Sequence, residues 1–189
     1  MVTAASPPSL RARLIDLAER EIETIGHEAL SLRALAAAAG VAPSAPYRHF
    51  RDRADLLVAL AERGFAILAE SHLAAAQANE PPARRLEIAV WNFIAFARAH
   101  PALFRLMFTS DALRGTPEID RAGQSFTIFE AMVAATRLGQ DGRAQLHSLS
   151  LWSALHGVAL LELDGRFERF NDVGIATDAI IADLIDRFR

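Results

Sequence analysis

Tyr47, Arg48 and His49 stand side by side near the end of segment 31–50, SLRALAAAAGVAPSAPYRHF, and offer a phenol, a guanidinium and an imidazole in three consecutive positions. Groups of this kind hydrogen-bond phosphate oxygens and base edges, and the planar fork of arginine does so bidentately. Arg33, Arg51 and Arg53 add positive charge in and just after the same stretch, whereas Asp16, Glu19, Glu21, Glu23 and Glu28 all lie before it. The chemistry implied is recognition of a polyanion. Two short helices would have to position these groups. Ser31 suits an N-cap, and Leu32, Leu35, Ala36 and Ala39 follow at helical spacing. Gly40 supplies a left-handed stop, and Pro43 falls where proline is tolerated, in the first turn of a second helix. Two helices with a turn of this length form a helix-turn-helix, whose second helix enters the DNA major groove.

The same residues resemble the N-terminal domain of the TetR family of bacterial transcriptional regulators. The resemblance covers residues 14–57: an amphipathic first helix, the AAAAGVAPSAPYRHF core, and RDRADLL opening a fourth helix. It implies that Tyr47 and His49 touch the DNA backbone and that Arg53 does so from the start of that fourth helix. Pro43, Ser44 and Ala45 form the leading turn against base edges, with Ala45 and Pro46 suited to a thymine methyl. Ser31 and Arg33 lie where free backbone N–H groups at a helix start suit a phosphate. Phe50, Leu35 and Val41 read as packing residues.

Two positions depart from the family pattern. Ala42 stands where Ser or Thr is usual, so a capping bond worth ~1 kcal/mol is missing. Pro46 removes an intrahelical donor and crowds the carbonyl of Ala42, which predicts a distorted or 3₁₀-like first turn. With few polar side chains there, base specificity leans on Arg48, Arg33 and DNA shape.

The 189 residues carry a net charge of −3, and all 20 basic residues are arginine. An all-arginine chain reflects base composition of the genome as readily as function, so the charge total neither supports nor opposes DNA binding. The 52% hydrophobic content suffices for a large core and a buried interface. No cysteine is present, which excludes disulfides and cysteine-based metal or redox sites. MVTAASPPSL lacks the features of a signal peptide, and no apolar run is long enough for a membrane span, so the expectation is a cytoplasmic protein with no membrane partner.

Periodicity reads as helix throughout, with no period-two strand, and predicts an all-α chain of about nine helices. Ser9 caps the first, whose apolar stripe is Leu10, Leu14, Leu17, Ala18, Ile22 and Ile25, and Gly26 ends it. After the short pair, Asp52 caps a long fourth helix running to about Ala78, and Asn79, Glu80, Pro81 and Pro82 break the chain. A fifth helix ends near His100 and Pro101, and a short sixth spans 102–108 before a loop with Gly115 and Pro117. A seventh runs from Glu118 to about Leu138, an eighth over 143–163, and a ninth follows Gly174. Domains are expected at 9–51 for DNA binding and 52–189 for ligand sensing and dimerisation.

In the second half, LWSALHGVALLELDG resembles the Trp-His-Gly signature of one TetR C-terminal subclass, which implies a helical regulatory domain with a cavity and a dimer made by the last two helices. The eighth helix is read as one wide apolar stripe of Leu149, Trp152, Leu155, His156, Ala159 and Leu163, beside the small residues Ser150, Ser153 and Gly157. On the ninth, Ala176, Ile180, Leu184 and Phe188 face together, with Asp183 and Arg187 at i,i+4. Leu149, Ser153, Ile180, Leu184 and Arg187 are therefore the candidate dimer contacts. Trp91, Phe104, Met107, Phe108, Phe129, Trp152 and His156 are the candidate lining of an apolar effector site, with His156 as the polar fixture. Bulky residues at helical spacing are more often plain core than pocket, and His156 serves equally as a core histidine bonded to a carbonyl.

The six histidines lack metal-ligand spacing such as HExxH, and no nucleophile elbow, P-loop or Rossmann fingerprint is present. No catalysis and no cofactor are expected. The reading is a homodimeric regulator, a repressor by resemblance, released from a pseudo-palindromic DNA operator by a small hydrophobic effector. The alternative is a helical small-molecule binding protein without DNA-binding activity.

Overall fold

The computed structural model describes residues 8–110, 113, 120–168 and 175–189. Among these are eight α-helices and no strand: α1 Leu10–Ile25, α2 Leu32–Ala38, α3 Arg53–Gln77, α4 Pro82–Ala99, α5 Pro101–Thr109, α6 Asp120–Ala134, α7 Ala144–Leu163 and α8 Thr177–Asp186. The expected loop around Gly115 and Pro117, the start of a helix at Glu118 and the turn at Gly174 lie outside the described residues.

Local chemistry sets most of the helix ends. The Ser9 hydroxyl accepts the Ala12 N–H at 3.2 Å and starts α1. Asp52 does the same for Asp55 N at 2.9 Å, while Asp55 reaches back to Arg51 N at 2.9 Å, a reciprocal arrangement that fixes the entry to α3. Gly40 has φ +68°, and Val41 N bonds Ala36 O while Gly40 N bonds Ala37 O, so α2 ends in a Schellman motif. Ser31 differs from expectation. Its backbone occupies the cap position of α2, and its carbonyl accepts Leu35 N at 3.0 Å, yet its hydroxyl makes no capping bond.

The chain packs as two compact units, one of residues 1–64 with 102–117, the other of 65–101 with 118–189. This division does not follow a single cut after residue 51. The first part of α3 and nearly all of α5 join the N-terminal helices.

In the first unit α1, α2 and the segment after α2 pack on one another, with Leu14, Ile22, Leu35, Phe50, Leu57 and Phe104 fully buried. Side chains tie distant backbone into this unit. Glu23 accepts Ala102 N at 2.9 Å and Leu103 N at 3.0 Å, capping α5 from α1. Arg63 on α3 pairs with Asp16 at 2.5 Å and Glu19 at 2.7 Å on α1. Met107 lies against α3 at Gly64, where a Cβ would come 2.2 Å from its sulfur.

In the second unit α4, α6 and α7 pack pairwise, and α8 lies on α4 and α7. Leu86, Val90, Ile94, Leu151, Leu155 and Ile181 form its core. α6 stops at Ala134, earlier than expected, and a 3₁₀ turn Leu138–Asp141 leads to α7. Gly139 makes that turn possible, because a Cβ there would sit 2.0 Å from the Val133 carbonyl oxygen. Arg98 on α4 grips Glu162 on α7 through Nη2 at 2.8 Å and Nε at 3.1 Å, and reaches Asp178 on α8 at 2.6 Å. Both carboxylates hold the guanidinium's pKa above its already high value, the Glu162 hydrogen bonds most.

Candidate functional site

The recognition segment is not an α-helix. Ala45 N bonds Ala42 O at 2.9 Å, and a 3₁₀ turn, Pro46–Arg48, follows. The cause is Pro46. It has no N–H to give to the Ala42 carbonyl, so that acceptor is taken one residue earlier in an i→i+3 bond. With Ala42 lacking a capping oxygen, nothing restores an α turn. The distortion expected for the first turn therefore extends over the whole segment, and this turn occupies the place of the third expected helix. His49 N at 2.9 Å and Phe50 N at 3.0 Å both bond Pro46 O, which closes it.

Pro46 and Phe50 point inward and anchor the turn, Phe50 being 1% exposed. Pro46 is thus no candidate for a thymine methyl. Pro43, Ser44, Tyr47, Arg48 and His49 are exposed, Tyr47 at 55%, while Ala45 is half-buried. Arg33 is exposed on α2, and Arg51 is exposed beside Asp55 at 3.6 Å. The expected donors Ser44, Tyr47, Arg48 and His49 are gathered on one short, anchored stretch.

Arg53 is placed differently. Its Nε bonds Leu30 O at 3.1 Å and its Nη2 bonds His27 O, so most of the guanidinium satisfies the loop between α1 and α2. Arg13 likewise closes α2 by donating to Ala39 O at 2.8 Å. Near Arg53, Ser110 Oγ and His27 Nε2 share a hydrogen bond at 3.0 Å.

The seven expected effector-lining residues do not fall in one unit. Phe104, Met107 and Phe108 lie on α5 in the first, with the Phe104 and Phe108 rings 4.9 Å apart. Trp91, Phe129, Trp152 and His156 belong to the second. There the rings form an unbroken series: Phe93 to His156 at 4.9 Å, His156 to Trp152 at 4.0 Å, Trp152 to Phe126 at 5.9 Å, Phe126 to Phe129 at 6.4 Å and Phe129 to His72 at 5.8 Å. The sequence reading missed His72, whose partner Ser125 is too distant in the chain for any spacing rule to connect.

Both histidines of the series are buried and held neutral. Burial pushes His156 down to about 4, outweighing the raising effect of its hydrogen bond from Nδ1 to Trp152 O at 2.8 Å. Burial also lowers His72, against the hydrogen bond of its Nδ1 to Ser125 O at 3.1 Å. A carbonyl only accepts, so in each imidazole Nδ1 carries the proton and Nε2 a lone pair. These are uncharged polar groups among aromatic rings.

α7 does not present the single stripe expected. It is apolar nearly all round, and its residues divide between two faces. Leu151, Leu155, His156, Val158 and Ala159 face the core. Leu146, Leu149 at 46% exposure and Leu161 face out, in line with Ser150, Ser153 and Gly157. Trp152, at 37% exposure, lies at the edge between them. On α8 the expected common face also divides. Ile181, Ile185 and Phe188 turn inward, Ile180 and Leu184 are half-exposed, and Ala176 is exposed. Asp183 and Arg187 pair at 3.0 Å as expected. No described helix is long and apolar enough to cross a membrane.

Comparison with known proteins agrees with this architecture. Residues 14–60 match the bacterial regulatory proteins of the tetR family, and residues 89–187 match the tetracyclin repressor-like C-terminal domain. A Rhodococcus sp. RHA1 protein of unknown function superimposes with a TM-score of 0.82 at 31% identity, over 98% of this chain and 96% of its own. The transcriptional regulator SCO7222 from Streptomyces coelicolor, a TetR, shares the fold at a TM-score of 0.68 and 23% identity, covering 96% of this chain and 88% of its own. A TetR transcriptional regulator from Legionella pneumophila shares it at 0.68 and 18% identity, covering 97% and 98%. No curated protein matches the chain. The two family matches lie over the helices that carry the exposed turn and the aromatic series, and the chain belongs to the TetR family of bacterial regulatory proteins.

Proposed function

We propose that this protein is a ligand-responsive transcriptional repressor that binds a pseudo-palindromic operator as a homodimer and leaves it when a small hydrophobic effector binds. The observation that carries the reading is the anchored turn: Pro46 and Phe50 fix it from within, and Ser44, Tyr47, Arg48 and His49 are left in solvent. Arg48 and Arg33 supply the charge for phosphate and guanine contacts, and Ser31, Tyr47 and His49 supply further donors. Pro43, Ser44 and Ala45 lead into the groove. Arg53 keeps its place in the unit but holds the loop before α2 instead of the DNA backbone.

Dimerisation is supported by the outer face of α7, where exposed leucines alternate with Ser150, Ser153 and Gly157, and by Ile180, Leu184 and Arg187 on α8. A helix apolar on every side belongs in an interior, and a second copy completes one. The twofold then sets two recognition turns roughly 34–36 Å apart, one turn of B-DNA.

The aromatic series of the second unit supports an apolar effector with a hydrogen-bonding group facing the neutral His156 or His72. Trp91, Phe129 and Trp152 remain candidates for its lining, whereas Phe104, Met107 and Phe108 are assigned to anchoring α5. The effector releases DNA in proportion to its preference for the conformation with the wrong spacing. α3, unbroken from Arg53 to Gln77, is the element through which the two states differ.

Titration of the protein onto the DNA upstream of its own coding sequence tests the reading. Salt-dependent binding, lost in Tyr47→Ala and Arg48→Ala with the fold intact, is the expected result. Indifference of the wild type to that DNA would instead leave a helical small-molecule binding protein.

A further inference from the structure

The guanidinium carbon of Arg11 stands 5.3 Å from the centroid of the Phe50 ring. Phe50 is the inward anchor between exposed His49 and exposed Arg51, so this contact brings a residue of α1 to the exit of the recognition turn. Arg11 is itself exposed. Among the described residues it forms no ion pair and donates no hydrogen bond, in contrast to three other arginines of this unit. Arg13 and Arg53 are committed to backbone carbonyls and Arg63 to two carboxylates. A cation held by a ring face uses none of its N–H groups in that contact. Arg11 is thus positioned by Phe50 and still offers a full set of donors, with its charge uncancelled, beside the groups that meet DNA.

We propose that Arg11 is a DNA phosphate contact, seated by Phe50 beside the recognition turn. The inference rests on the DNA-binding reading above and adds to it a residue from outside the helix-turn-helix. Its work is backbone anchoring and not base readout, because it approaches from α1 and not from the turn itself. Each phosphate neutralised releases condensed counterion, so the contact is legible in salt dependence.

Arg11→Met separates the two roles open to this side chain, since it keeps an unbranched stem over the Phe50 ring and removes the charge. Arg20→Met is the control. It deletes the same charge from an exposed position on the opposite side of α1. Affinity for the upstream duplex and for a mixed-sequence duplex is measured over a salt series, with thermal melting to confirm the fold. The proposal expects Arg11→Met to weaken binding to both duplexes alike and to flatten the plot of log affinity against log salt by about 0.9 per copy of the site. Arg11→Lys should recover most of that slope, and Arg20→Met should match the wild type. An Arg11→Met protein that melts lower yet binds with the wild-type slope would show that Arg11 only covers Phe50, and would overturn the proposal. Equal losses in Arg11→Met and Arg20→Met would overturn it too, as an effect of net charge. Failure of the wild type to bind either duplex would sink the DNA-binding reading, and this proposal with it.

Discussion

The two units are held together by different means. In the recognition unit, side chains reach across to backbone groups far away in sequence: Arg53 to the carbonyls of Leu30 and His27, Arg13 to Ala39, and Glu23 to the amides of Ala102 and Leu103. In the other unit, packing dominates, with a ring series through α3, α4, α6 and α7 and a helix α7 that is apolar nearly all round. Directional bonds fix positions, whereas apolar packing is tolerant of repacking when shape and volume are kept. The contrast suits the two tasks. Under the proposed function, a surface that matches a fixed duplex is set by bonds with defined geometry, and a region that accommodates an effector is set by contacts that can rearrange.

Glycine substitutions give the largest expected effects and break the comparison most directly. Gly139→Ala would drive a Cβ into the Val133 carbonyl, which is backbone and cannot swing away, and should destabilise the second unit by about 3 kcal/mol. Gly64→Ala meets only the flexible side chain of Met107, its sulfur nearest, so about 1 kcal/mol is expected. Denaturant midpoints of the two variants check the order. A reversed order would mean that α5 is held more rigidly than Met107 suggests.

Arginine truncations come next. Arg53→Ala leaves Leu30 O without a donor and His27 O with only the Leu30 N–H at 3.4 Å, and should cost about 2 kcal/mol. It should also weaken DNA binding in proportion to the loss of folded protein. Arg98→Ala breaks a larger network, with two carboxylates as partners, but that network is partly exposed and screened, so below about 1 kcal/mol is expected, shrinking further in salt. Urea titrations at low and high salt distinguish the two. More bonds do not mean more stability when water competes for them.

Acid sharpens the contrast between the units. His156 is depressed to about 4 in the folded chain by burial, and its unfolded value is near 6.5. The unfolded chain therefore binds more protons between those values, so this contribution to stability is complete above pH 6.5 and is lost as pH falls toward 4. His72 is shifted in the same direction and acts alike. Thermal melting from pH 7 to pH 4 should show a fall that is smaller in His156→Gln.

What the sequence made legible follows from range. The starts of α1 and α3 were readable because Ser9 and Asp52 act on amides three residues on, and the end of α2 because Gly40 acts within its own turn. The exposed donors of the recognition turn were readable for the same reason. The role of Arg53 was not, since the carbonyls it serves lie 23 and 26 residues back. His72 escaped notice because Ser125 is 53 residues away. α7 misled through excess: with apolar residues on every side, periodicity could not separate the face that meets its own core from the face left over. Pro46 announced a distortion, but its extent depended on Ala42 as well.

The smallest expected effect is the most useful for separating fold from contact. Ser9→Ala removes a capping bond and should cost about 1 kcal/mol. Ser31→Ala removes a hydroxyl that caps nothing, so stability should change by no more than about 0.5 kcal/mol. Because the fold is left alone, any drop in DNA affinity in Ser31→Ala belongs to the interface itself. Sequence rules for caps would give the two serines the same role. Equal losses of stability in the two variants would restore that symmetry and return Ser31 to structure, whereas a Ser31→Ala protein that melts normally and binds more weakly would assign its hydroxyl to the operator.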